Sequence, residues 1–512
     1  MDFFESLCTT NFSFLRSGSH AEEFIDRACA IGLAGIAITD HDTLAAVVRA
    51  HSGALERSLP FRVGARLSIY RSILESPSRQ LSGRELPICE LAVYPTNRES
   101  YGQLCKLLSI GKLRAPKGSC FILIDEFLQH SPNMAVTLLA QNKAHHAALA
   151  EIKLGLKDSK LISVALLRDY SDPRAEQNSL QFASQQDLPL LATADALMHI
   201  AERKQLLDVL TCVRNGCTIE QAGFKLLKNA ERYLKSPQEI AHLFRATPNA
   251  ITRSMQLLEM TEGFSLAQLK YEYPDEVTPR GFTPIAHLRT LTYRGAELRY
   301  PAGIPVAVTK IIEDEFLLIE DLKYEKYFLT CHDIVNFARS KGILCQGRGA
   351  AANSAVCYCL GITSVDPTRI DLLFARFVSR ERNEPPDIDI DFEHERRSEV
   401  MQYIYERFGR DRAGLGCAII TYRTRSAVRD VGKALGLGNA TVDILTKLVH
   451  RWTDNIIPPE DLIEAGLNPH DPIIALTFLL AKELKSFPRH LTQHVGGFII
   501  CHHPLIETVP IL

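Results

Sequence analysis

The residues best suited to chemistry lie in one heptapeptide, Pro386-Asp387-Ile388-Asp389-Ile390-Asp391-Phe392. On a β-strand, side chains repeat every second residue. Asp387, Asp389 and Asp391 then share one face, and Ile388, Ile390 and Phe392 share the other. Three like charges in a row repel unless something positive sits among them. Mg²⁺ is the economical partner, because it takes carboxylate oxygens and keeps positions open for phosphate and water. A solvated edge strand with a negative face is the alternative; the flanking isoleucines favour a buried strand and, with it, the metal.

Upstream, Gln346-Gly347-Arg348-Gly349-Ala350-Ala351-Ala352-Asn353-Ser354 follows a short apolar stretch and precedes the helix-compatible AVCYCLGI. Strand, glycine turn and helix aim free backbone N–H groups and a helix dipole at a phosphate. The spacing fits neither a dinucleotide-binding fingerprint nor a Walker A loop, and a tight connection is the plain alternative. Its weight comes from Arg376, Arg380 and Arg382, which lie between this turn and the acidic strand. A cradle, arginines and paired carboxylates together make a nucleotidyl-transfer site, with one ion activating an attacking hydroxyl and a second stabilising leaving pyrophosphate. The candidate cofactor-binding residues are Gly347, Arg348, Gly349, Ser354, Arg376 and Arg382. Arg376, in LLFARFV, could equally sit in a helix with an apolar stem and its head at the surface.

These residues need a large scaffold. At 512 residues the chain exceeds one ordinary domain, and three is the expected number. A 46% hydrophobic and 23% charged composition is that of a soluble globular protein, and a net charge of −2 confines any nucleic-acid binding to local basic patches. The 13 cysteines form no CxxC pair, which implies reduced thiols and a cytoplasmic location. The acidic, interrupted N-terminus is no signal peptide, and no apolar run is long enough to span a membrane.

Along the chain, residues 21–34 predict a helix and residues 35–39 a short buried strand ending in Thr39-Asp40-His41-Asp42. Leu190–Asp195 repeats the pattern of an apolar strand ended by an acid. Such strand ends recur at the C-terminal rim of α/β barrels that bind metal. A polar stretch at 71–87 predicts a surface loop, 236–263 a helical connector, and 271–284 a domain boundary. Helical patterns follow at 286–299, 308–340 and 430–485. Arg396, Arg397, Arg407, Arg410, Arg412, Arg423, Arg425 and Arg429 crowd one segment; Arg423 and Arg425 are the better candidates for phosphate-backbone contacts. His490 and His494 are spaced for a helical metal pair, but with no glutamate partner, helix-end packing is preferred.

The N-terminal part resembles the PHP domain, a metal-dependent phosphoesterase barrel. The family's opening His-x-His falls here on Leu7 and Thr9, its glutamate on Arg66, and its late histidine on Leu197, while Asp40, His41 and Asp195 survive. A site stripped of several ligands and given an arginine cannot offset the cost of dehydrating an ion, so no metal is expected in the PHP site. A scaffold barrel is expected, with the survivors making local hydrogen bonds.

The GRGxxxxS and PDIDIDF motifs resemble the palm of bacterial C-family DNA polymerases, the polymerase III alpha family. CQGRG-AAANSAVCYCLGIT and TTNFSFLRSGSH most resemble its error-prone branch. The resemblance implies an α/β multidomain chain: a PHP-like (β/α) barrel at 1–235, a connector at 236–284, a nucleotidyltransferase-type palm at 285–429, a helical thumb at 430–485 and a return to the palm at 486–512. It implies that Asp387 and Asp389 are two of three catalytic metal ligands and that Asp391 supports them. It further implies template-directed addition of dNTPs to primer-template DNA with two Mg²⁺, in damage-induced mutagenesis and translesion synthesis rather than main replication. A sliding clamp and mutagenesis accessory proteins are implied as partners through a C-terminal part, and no membrane. Two departures stand out. The family serine after the second glycine is Ala350, for which Ser354 is no assured substitute; the lost hydroxyl costs roughly 1 kcal/mol of nucleotide binding. The third aspartate falls beyond Leu512, so this chain alone is expected to lack a complete site. A PHP-type phosphoesterase or nuclease and a non-catalytic DNA-binding fragment are the rival readings.

Overall fold

Short apolar runs that alternate with helical segments in the first part of the chain form an α/β barrel, and the helical patterns further on pack into helix clusters. The computed structural model describes residues 2–72, 86–156, 158–366, 388–449 and 459–512. The predicted loop at 71–87 lies largely outside these residues, as do Asp387, Arg376, Arg380 and Arg382. The chain divides into two compact units: residues 1–269, 417–493 and 506–512, and residues 270–416 and 494–505.

In the first unit, eight strands form one sheet: β1 (Phe4–Cys8), β2 (Gly35–His41), β3 (Phe61–Tyr70), β4 (Cys89–Pro95), β5 (Ile122–Leu123), β6 (Met134–Leu138), β7 (Ile162–Leu167) and β8 (Leu190–Thr193). The order is β1-β2-β3-β4-β6-β7-β8, with β5 paired to β3. β4 runs antiparallel to both neighbours, whereas the β1–β2–β3 and β6–β7–β8 runs are parallel. Parallel strands covered on both faces read as unbroken apolar runs, as GIAIT does. The sheet curls almost shut: Thr9 N–H donates to the Ala196 carbonyl at 3.0 Å, and Ala196 N–H to that of Leu7 at 2.8 Å. Phe4, Leu7, Ala37, Tyr94, Ala165 and Leu191 form one buried cluster with Leu257 and Leu258. Small alanines opposite one large tyrosine fill a narrow barrel interior.

Leu257 and Leu258 belong to the helix Pro248–Met260, so the segment expected to be a connector is instead part of the barrel's core. Arg253 on the same helix is 8% exposed and donates to Ser163 Oγ at 2.9 Å and to the Ile162 carbonyl at 3.1 Å. The expected thumb also differs. Helices Thr424–Ala434, Asn439–Leu448 and Pro472–Leu484 share a core with the helix Lys204–Asn215, through Leu206, Leu210, Val428, Leu445 and Leu480, and group with the first unit. The apolar stripes that would face each other in a free-standing helical domain are spent on a common core.

Beneath the barrel's polar end, Glu5 is fully buried; Leu7 N–H, the Thr193 hydroxyl and Ala194 N–H all donate to it. Burial outweighs these bonds and pushes its carboxyl up to about 7. Its folded value lies above the unfolded one, so its contribution is complete below about pH 4 and is lost as pH rises through 7. The urea midpoint of the intact chain is therefore expected to fall between pH 5 and 7.5, and Glu5→Gln to flatten that fall by roughly 1 kcal/mol per pH unit. An unchanged slope in the variant would assign the proton elsewhere.

The second unit is built from helices Pro284–Arg299, Val306–Asp321, Glu325–Ser340, Ala355–Cys359 and Arg397–Phe408, with strands β9 (Cys345–Arg348) and β10 (Asp389–Phe392). The helical pattern at 308–340 is broken in two where Lys323 takes a left-handed φ of 59°. Ile312, Phe316, Ile319, Phe328, Val335, Ile404 and Phe408 make its core. The remaining strands, β11 (Ala413–Thr421) and β12 (Pro488–Ile500), pair with each other. His490 and His494 thus lie on a strand, exposed and on one face, so neither a helical metal pair nor helix-end packing is formed. Their spacing of four is also an even spacing, which suits a strand equally well.

Candidate active site

β9 and β10 run antiparallel, placing Asp389 opposite Arg348, Ile390 opposite Gly347 and Asp391 opposite Gln346. Ile388 is buried, Ile390 and Phe392 are half-buried against the core, and Asp389 and Asp391 are exposed. The period-two reading holds over the described part of the strand. The strand is open on its acidic face rather than buried on both. Arg348 and Asp391 form an exposed ion pair. Among the described residues, nothing pairs with Asp389. Its Oδ2 lies 3.8 Å from where a Cβ on Gly349 would stand, and Gly349 has a φ of +64°. An uncompensated carboxylate with a glycine turn against it offers oxygen donors of the kind Mg²⁺ takes.

The glycine turn is placed as the spacing predicts: β9 runs into a 3₁₀ turn, Gly349–Asn353, and then the helix Ala355–Cys359. The amide of Gly347, on the strand that leads into it, is engaged. Gly347 N–H donates to the Ile362 carbonyl at 2.8 Å, and a Cβ there would stand 2.6 Å from that oxygen. Its lack of a side chain is thus explained by close backbone approach.

Ser354 is the expectation that the geometry corrects. It is fully buried, and its hydroxyl donates to Glu315 Oε2 at 2.7 Å while accepting from Cys357 N–H at 3.0 Å. Ala355 and Val356 N–H donate to the same carboxylate at 2.7 and 3.0 Å. The anion at this helix N-terminus is the protein's own Glu315, which leaves Ser354 no hydroxyl to offer a nucleotide. The signal was present in the sequence. Glu315 falls among Ile312, Phe316 and Ile319 on the apolar stripe of its helix, where a carboxylate needs buried donors.

Burial pushes the Glu315 carboxyl up to about 7 against the bonds from Val356, Ser354 and Ala355. Glu315→Gln keeps the shape but turns an NH₂ toward N–H donors, and is expected to cost about 2–3 kcal/mol of stability, read as a drop in urea midpoint. An unchanged midpoint would show that the carboxylate does not organise the turn.

In the barrel, Asp40 accepts from Thr10 N–H and Oγ1, both at 2.7 Å, and from Ser13 Oγ at 2.6 Å. This is the local hydrogen bonding expected of a remnant. Asp195 does more. It is ion-paired with Arg66 and with Arg232, and Arg232 Nε donates to its backbone carbonyl at 2.9 Å. Burial works to raise the Asp195 carboxyl, but the two guanidiniums outweigh it and hold it below the usual range. A cavity of about 300 Å³ opens beside this triad, lined also by Glu90, Asn142, His145 and Asp169. Two guanidiniums occupy the charge position that ions would need, so the residues present do not fit a metal there. Arg66 is legible through the resemblance to the PHP domain, whose glutamate falls on it. Arg232 is not, since it arrives from a segment following the barrel strands.

Of the crowded arginines, Arg396, Arg407 and Arg412 are paired with Glu399, Asp333 and Glu276. Arg423 and Arg425 are exposed, at the start of the helix that follows β11.

Residues 8–188 match the family model described as PHP domain, and residues 286–512 match the one described as bacterial DNA polymerase III alpha NTPase domain. Two separate stretches of the chain are thus similar to these two families. The error-prone DNA polymerase of Caulobacter vibrioides is 45% identical over 511 residues, covering 99% of this chain and 46% of that protein. That of Brucella suis is 45% identical over 518 residues, covering 99% and 47%. That of Rhodopirellula baltica is 42% identical over 524 residues, covering 99% and 44%. The chain spans about half the length of the curated relatives it matches.

Proposed function

We propose that this chain serves template-directed DNA synthesis of the error-prone kind, adding dNTPs to a primer 3′ end during translesion synthesis and damage-induced mutagenesis. The observation that carries the reading is the exposed Asp389, unpaired among the described residues and set against the Gly349 turn. Asp387 and Asp389 would hold Mg²⁺, which supplies Lewis-acid stabilisation of the transferring phosphate when bound. Arg348, tethered by Asp391, is poised to exchange that carboxylate for a triphosphate oxygen, with Arg376 and Arg382 as further anion partners. Exposed Arg423 and Arg425 suit contacts to the DNA backbone.

The PHP barrel is a scaffold in this reading, with Arg66 and Arg232 in place of metals. A phosphoesterase activity is disfavoured by the ion pairs at Asp195. A sliding clamp and accessory proteins would be recruited through sequence that the longer relatives possess. Among the described residues no helix is long and apolar enough to cross a membrane. All 13 cysteines are free thiols, which suits a reducing cytoplasm. The test is primer extension by the full-length gene product on an abasic-site template. Extension past the lesion supports the reading, and synthesis that always stops before it removes the translesion role.

A further inference from the structure

Away from the acidic strand, the second unit holds a cluster that the polymerase reading does not use. Glu272, His502 and His503 each bring one ligand atom within 4.8 Å of the others. The two stretches that carry them are pinned by backbone: His502 N–H donates to the Glu272 carbonyl at 2.9 Å, and the Tyr271 hydroxyl to that of Ile500 at 2.5 Å. A Glu272 carboxylate oxygen stands 3.3 Å from Nε2 of His503. The two imidazoles meet edge to face, with centroids 4.6 Å apart. Nδ1 of His502 is closed off from solvent and makes no hydrogen bond; Asp275 Oδ2 is 3.5 Å away.

We propose that Glu272, His502 and His503 bind one Zn²⁺, with Asp275 orienting the His502 ring. Two imidazoles and a carboxylate form a borderline nitrogen–oxygen set suited to zinc, whereas Mg²⁺ prefers oxygens alone. Ligands about 2.0–2.2 Å from a tetrahedral ion are roughly 3.3 Å from each other, the separation Glu272 and His503 already have. Asp275, itself paired with Lys326, supplies the carboxylate that ligating histidines commonly meet at their other nitrogen. The ion would tie the segment 271–275 to the segment that follows β12, joining two distant stretches of chain at one point. Such a bridge acts on folding, because the ligands converge only in the folded state.

The test uses the chelator-stripped full chain with Mg²⁺ present, titrated with Zn²⁺ by calorimetry and with Co²⁺ by visible absorption. One equivalent is expected to bind at micromolar affinity or better, Co²⁺ giving tetrahedral bands without a thiolate charge-transfer band. Glu272→Gln/His503→Ala, two exposed positions, should weaken that equivalent by about a hundredfold. His502→Gln should do likewise, whereas Cys501→Ser and Asp389→Ala should leave it in place. Binding that survives the double variant, or a thiolate band that disappears with Cys501→Ser, would overturn the site.

Discussion

Replacing Asp195 by alanine is expected to destabilise the barrel by about 3–5 kcal/mol, enough to unfold much of a marginal domain at 37 °C. The side chain of Asp195 is 6% exposed and that of Arg66 7%, so bulk water screens little of the charge that the aspartate now neutralises. Arg66 and Arg232 would be left as two like charges without a counter-charge between them, the first buried and the second half-buried. Asp195→Asn should recover little, since an amide offers no negative charge. Arg66→Met should cost far less than Asp195→Ala, because Arg232 still compensates the carboxylate and an apolar chain fills the space. Urea unfolding of the three variants separates these outcomes. Equal small losses in all of them would mean that the triad is solvated and contributes little. Sign matters for pH as well: Asp195 titrates below the usual range, so its contribution is present at neutral pH and is lost as pH falls through that lowered value.

Asp389→Ala is expected to lower the rate of nucleotide incorporation about a thousandfold or more, some 4 kcal/mol of lost transition-state stabilisation. The loss should leave stability almost unchanged, since the carboxylate is exposed and without a partner among the described residues. Asp391 shares its face but has a different task. It holds Arg348, an exposed pair that adds little to stability and much to the position of one guanidinium. Asp391→Asn is therefore expected to raise the KM for dNTP several-fold with a smaller change in kcat, because it frees Arg348 without removing a metal ligand.

Much of this is legible in the sequence alone. GIAIT and LLAT read as buried strands because parallel strands advertise themselves by unbroken apolar runs. Asp389 and Asp391 fell on one face because a period of two leaves no other choice. Arg66 falls in a lost metal site through the resemblance to the PHP domain, whose glutamate it replaces. What was hidden is non-local. Arg232 meets Asp195 across 37 residues, and Glu315 reaches Ala355 across 40. No local pattern records such a pairing, although a glutamate among isoleucines asks for one. The helices after residue 424 resembled a domain of their own until their apolar faces were found packed with Leu206 and Leu210. β12 was missed because its two glycines and alternating polar residues carry no strong period, so that pairing with β11 decides its state.

In the proposed function the acidic face of β10 is a metal face that works on a nucleotide. Single-turnover incorporation of one dNTP by the full-length gene product, with wild type, Asp389→Asn and Asp391→Asn compared at saturating Mg²⁺, tests it most directly. The expected loss is about a thousandfold for Asp389→Asn and less than about tenfold for Asp391→Asn, with both variants as stable as the parent. Equal rates for Asp389→Asn and the parent would contradict it.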